Sequence, residues 1–143
     1  MYTNILLPVD GSKHSEKAIE AAISLCKSLN YETKITILHV LPPVNYWGSE
    51  MVAANLDIQE IAKQQEERLL QPLRATIEGA GIACNVIHEQ GNPADIICSI
   101  AESEHIDLIV MGSRGLGTVG EMLLGSVSHK VLQHSICPVL LIK

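Results

Sequence analysis

The 143-residue sequence contains no phenylalanine, one tryptophan and three tyrosines. So few rings exclude the stacked-base platforms that hold single-stranded nucleic acid, and they require a core built from aliphatic side chains. A basic stripe is also missing. Ten Lys and Arg stand against sixteen Asp and Glu, a formal charge of −6, which excludes nonspecific attraction to nucleic acid or anionic lipid. No apolar run approaches the roughly 18 residues needed to cross a bilayer. The opening MYTNILLPVD lacks the basic flank, long apolar centre and small-residue cleavage site of a secretory signal. These absences predict a cytoplasmic protein with neither a membrane nor a nucleic-acid partner.

Cys26, Cys84, Cys98 and Cys137 form no C-x-x-C pair, and each lies inside an apolar pattern, so reduced, buried core thiols are expected. His14, His39, His88, His105, His129 and His134 show no H-E-x-x-H spacing and no cysteine at ligand distance, which predicts no metal site. What the chain does have is aliphatic material. Hydrophobic residues make up 47% of it, enough for a single domain over residues 1–143 to bury about two-thirds of its unfolded surface without a staple.

Hydrophobic periodicity divides the chain into alternating elements. Asn4 to Val9 reads as a buried strand ending in the turn Asp10-Gly11-Ser12, with Pro8 suited to a strand end. A helix from about Ser15 to Asn30 follows, capped by Ser12 or Ser15, with Ala18, Ala22, Leu25, Cys26 and Leu29 inward. Lys34 to Leu41, rich in β-branched residues, is a second strand that stops at Pro42-Pro43. The segment from Pro42 to about Met51 has no period and reads as a loop, in which Trp47 covers a ligand or packs on the core edge. From about Leu56 to Ala80 a long helix turns Ile58, Ile61, Ala62, Leu69, Leu73 and Ile77 inward. Glu60, Lys63, Glu66, Glu67 and Arg68 are placed mostly on its solvated face, and Pro72 is expected to kink or break it. Ile82 to Gln90 is a third strand. Asn92, Pro93 and Asp95 then supply a cap, a first helical residue and a first-turn acid for a helix to about Ser103. Asp107 to Met111 is a fourth strand, Ser126 caps a helix to about His134, and Val139 to Ile142 is a fifth strand.

Strict alternation implies right-handed crossovers. The fold class is therefore α/β, an open five-stranded parallel sheet of Rossmann-like winding with helices on both faces. In a 3-2-1-4-5 order, ligands bind where the winding reverses, beyond the carboxyl ends of the first and fourth strands. The turns at Asp10 and at Gly112 would meet there.

Met111 to Ser128 carries five of the ten glycines and joins a strand to a helix, an arrangement that brings main-chain amides up to an anion. Three spacings are present. Gly120 to Ser126 matches a Walker A loop in its glycines but lacks the lysine. Gly115, Gly117 and Gly120 fit G-x-G-x-x-G, yet a dinucleotide site needs an acidic residue about 20 positions on and further βαβ units, which the residues through Lys143 do not supply. The third spacing is Gly112-x2-Gly115-x9-Gly125-Ser126.

With DLIVM before it and SVSHKVLQHSICPVLLI around and after it, this third spacing resembles the nucleotide-binding signature of the universal stress protein family. The likeness extends through ILLPVDGS, Gly91-Asn92-Pro93 and Cys137-Pro138-Val139, and so spans the chain. Similarity to the ATP-binding branch implies ATP as ligand, with any Mg2+ bound through its phosphates. It implies that Val40 offers main-chain groups to adenine, that Pro8 and Val9 line the pocket, and that Asp10 accepts a hydrogen bond from ribose. Met111 and Gly112 would pass beside the ribose, while Arg114, Gly115, Gly125, Ser126, Val127 and Ser128 would hold the phosphates. The resemblance also implies a homodimer through the last strand, whose open edge carries only Lys143 to discourage pairing.

The function so implied is a nucleotide-dependent regulatory or stress-protective module. Slow ATP hydrolysis or adenylyl transfer is one alternative. Ser126 and His129 are three apart, but no acidic third member accompanies them and no catalytic residue is assigned. A nucleotide-free scaffold of the same fold is the other alternative, against which the intact glycine spacing argues.

Overall fold

The computed structural model describes residues 1–43, 55–114 and 124–143. The strands are β1 (Asn4–Val9), β2 (Lys34–Leu41), β3 (Ala83–Gln90), β4 (Leu108–Gly112) and β5 (Val139–Ile142), and the helices are α1 (Lys13–Ser28), α2 (Asn55–Gly79), α3 (Pro93–Ser103) and α4 (Ser126–His134). All pairings are parallel, and the sheet order is β3-β2-β1-β4-β5. The expected winding is the one found.

Strand alternation sorts the core into two layers, since successive side chains leave a strand on opposite faces. Ile5, Leu7, Ile35, Ile37, Leu108 and Val110 pack under α1 and α2 with Ala18, Ala22, Leu70 and Ile77. Leu6, Leu38, Ile109 and Met111 pack under α3 and α4 with Ala94, Ile97, Ala101 and Val131. Ile5, Leu6 and Leu7 of the central strand β1 are all fully buried, so packing on both faces of the sheet holds this strand in place. Whatever its carboxyl end presents is accordingly well fixed.

Several boundaries and faces differ from expectation. Asp107 lies outside β4, because its Oδ2 accepts hydrogen bonds from Thr3 N–H (2.9 Å), Thr3 Oγ1 (2.8 Å) and Asn4 N–H (2.9 Å). α2 continues through Pro72 without a break. Pro72 and Arg68, whose carbonyl loses its partner, are both exposed, so water can satisfy the freed group. Cys26 and Cys84 are buried as expected, but Cys98 and Cys137 are only half-buried. Burial, with a smaller contribution from Glu78, pushes the Cys84 thiol up to about 11, which keeps it an unreactive packing group. The expected loop with Trp47, and the side chain of Ile58, lie outside the described residues.

The inward stripe of α2 is also shifted. Ile61 is 54% exposed, whereas Leu70 is buried. Glu66, placed on the solvated face by its charge, points inward and is only 10% exposed. Its Oε1 accepts from His39 Nδ1 at 2.6 Å and His88 Nδ1 at 2.8 Å, the residues paired across β2 and β3. Burial works to raise the Glu66 carboxyl, but the hydrogen bonds and charge of His88 and His39 outweigh it and hold it below its ordinary value.

A group held low in the folded state stabilises it above its unfolded value, near 4.5, and loses that effect as pH falls through the folded one. Glu66→Gln should therefore cost about 1–3 kcal/mol in urea unfolding at pH 7. The gap from wild type should close as the pH is taken below about 4.5. A gap unchanged down to pH 3 would show that the carboxylate charge contributes nothing.

Candidate functional site

The carboxyl ends of β1 and β4 lead into two turns that the fold places side by side. After β1, Gly11 adopts φ +81°, a left-handed conformation that a side chain would strain. This turn lets Asp10 Oδ1 accept from Ser12 N–H at 2.9 Å and Ser12 Oγ accept from Ser15 N–H at 3.1 Å. Ser12 is thus the N-cap of α1. Asp10 itself is exposed, and its second carboxylate oxygen has no partner among the described residues. That oxygen can accept a further hydrogen bond.

At the end of β4 the chain is drawn tightly against α1. A Cβ on Gly112 would lie 2.7 Å from His14 Cβ, 2.8 Å from His14 C and 3.0 Å from His14 O, so only glycine fits. Ser113 comes next and is 2% exposed. Its carbonyl oxygen accepts from Gly125 N–H at 2.7 Å and from Ser128 Oγ at 2.7 Å. These two bonds fasten the start of α4 to the end of β4 and close the site into one unit.

The cap of α4 differs from expectation. Gly125, with φ −72° and ψ 162°, is the N-cap, and no side chain caps the helix. Ser126 is the first helical residue and is exposed. The Gly125 carbonyl already accepts from His129 N–H at 3.0 Å, which leaves Ser126 in helical geometry with no reason to turn back. The amides of Ser126, Val127 and Ser128 precede this first helical bond. They and the helix dipole favour an anion at this end. The hydroxyl proton of Ser128 is committed to Ser113, so Ser128 can offer an anion its main-chain N–H.

Arg114 is half-buried, and its Nε is enclosed without a hydrogen-bond partner among the described residues. An enclosed guanidinium donor left unsatisfied is costly, and an anion accepting from it would remove that cost. Of the other expected site residues, Pro8 and Val40 are half-buried at strand ends, and Val9 and Met111 are buried. Val9 belongs to the layer under α1 and α2, Met111 to the layer under α3 and α4. Gly115 lies outside the described residues, as do Gly117 and Gly120.

Ser113 and His14 escaped the sequence reading. The glycine before Ser113 was the signal for a close approach, but nothing in the spacing says that α1 is what approaches. A half-open depression of about 830 Å3 lies at the opposite, amino edge of the sheet, between the α1–β2 and α2–β3 turns. It is remote from these groups. Among the described residues no three His, Cys, Asp or Glu side chains are arranged to hold a metal ion, and no helix is long and apolar enough to cross a membrane.

Comparison with known proteins places this geometry. The model of the Universal stress protein family matches residues 1–143. Universal stress protein YxiE of Bacillus subtilis is 34% identical over 150 residues, covering 100% of both chains. The solved structure of hypothetical protein MJ0577 superposes with a TM-score of 0.86 at 29% identity, covering 100% of this chain and 96% of that one. A universal stress protein family member from Arabidopsis thaliana, solved with AMP bound, gives 0.73 at 26% identity over 99% of this chain and 91% of that one.

Proposed function

This chain belongs to the universal stress protein family, and from that premise we propose that it is an ATP-binding regulatory or stress-protective module of the cytoplasm. The observation that carries the reading is the enclosed Arg114 Nε, which has no hydrogen-bond partner among the described residues, together with the start of α4, where no side chain caps the helix. Both offer donors to one anion. Asp10 at the facing turn suits a ribose hydroxyl, and Val40, one strand over, suits adenine. AMP in the Arabidopsis relative supports a nucleotide of this class.

Two or three charge-assisted hydrogen bonds of about 1.5–3 kcal/mol each, with burial of the base, suffice for micromolar affinity. A magnesium ion would be carried by the phosphates and needs no protein cage of its own. Calorimetric titration with ATP tests the reading: saturable heat supports it, and a flat trace removes it.

The working unit is a homodimer joined through β5. Among the described residues this strand pairs with β4 alone, and Leu132 on α4, Ile136 before the strand and Leu140 within it are exposed by 49%, 69% and 39%. An open strand edge flanked by apolar side chains favours pairing with a second copy. Light scattering should give twice the 15.5 kDa chain mass, and Leu140→Lys should shift it toward one. A wild-type mass of a single chain at high micromolar concentration would contradict this assembly.

A further inference from the structure

Resting on the nucleotide reading, we propose that His14 is a further ligand-binding residue, which contacts the α-phosphate shared by ATP and AMP. Three observations place it there. His14 is the second residue of α1, and its Cβ and main chain lie against Gly112, the residue expected beside the ribose. Every Cα–Cβ bond in an α-helix tilts toward the helix N-terminus. The start of α1 follows β1 directly, so that tilt carries the imidazole toward the carboxyl edge of the sheet, between β1 and β4. Finally, the ring is half-buried, belongs to neither core layer and makes no hydrogen bond among the described residues. It is a placed donor with no partner among the described residues.

Among the described residues, Asp10 on the β1 turn and Arg114 after β4 are charged groups at this end of the sheet. With Asp10 committed to the ribose and Arg114 two residues beyond Gly112, the first phosphate is the ligand group level with His14. Contact there would make the site favour nucleotides over nucleosides, whatever the number of further phosphates.

His14→Ala tests this, because it keeps the Cβ that packs on Gly112 and removes only the ring. ATP and AMP affinities, measured by calorimetry at one pH, should each fall by roughly fivefold to tenfold. Adenosine affinity should be unchanged, as should the thermal unfolding midpoint. Unchanged ATP and AMP affinities would overturn the inference, and so would an equal loss for adenosine. In both of those cases wild-type ATP binding stands. A wild type that binds none of the three would remove the nucleotide reading and this inference together.

Discussion

Gly112→Ala is expected to lower the unfolding free energy by about 1–3 kcal/mol, the usual cost of forcing a methyl into a packed site, and to abolish measurable ATP binding. The reason is the identity of the atoms it meets. The new Cβ would lie 2.8 Å from His14 C and 3.0 Å from His14 O, main-chain atoms in the first turn of α1 that have no rotamer in which to withdraw. Relief requires α1 to move away from β4. That motion would separate the Asp10 turn from the Ser113 carbonyl to which α4 is fastened, so the two walls of the site part together. Equilibrium unfolding in urea and titration with ATP measure the two effects. A variant as stable as wild type that still binds ATP would show that the α1–β4 contact is not the constraint described.

Arg114→Ala should act on binding rather than on folding. Its guanidinium Nε is enclosed without a partner among the described residues, so its removal is expected to leave stability nearly unchanged. If the guanidinium meets phosphate, the loss is one or more charge-assisted hydrogen bonds, about 1.5–3 kcal/mol, which corresponds to roughly a tenfold to hundredfold weaker ATP complex. Adenosine, which has no phosphate, should bind wild type and variant alike. Equal ATP affinity for the two proteins would place Arg114 outside the site. The contrast with Gly112→Ala is informative, since one variant damages the frame and the other removes a ligand contact from an intact frame.

The sheet order and nearly every element were legible because each strand is a short aliphatic run bounded by turn residues. Asn92 was read as the cap of α3 and is, while of the two candidates for α1, Ser12 and Ser15, the cap is Ser12, and the helix begins at Lys13, two residues before the expected start. Reading failed where a residue's chemistry and its position conflict. Glu66 looks like surface because it is charged, and it turns inward to accept from His39 and His88, which are paired across β2 and β3.

Ser126 looks like a cap because serine commonly is one. The cap is Gly125, whose amide is taken by Ser113. The β1 and β4 turns were visible through glycine spacing, whereas the contact of His14 with Gly112 and the bonds to the Ser113 carbonyl join segments far apart in the chain. No local pattern encodes those.

The central claim is that the crevice between β1 and β4 holds a nucleotide, and calorimetric titration of the wild-type protein with ATP, AMP and cyclic AMP tests it most directly. The account predicts saturable binding of ATP near one per chain, with a micromolar dissociation constant. A flat trace for all three nucleotides, on protein shown to be folded, would contradict it.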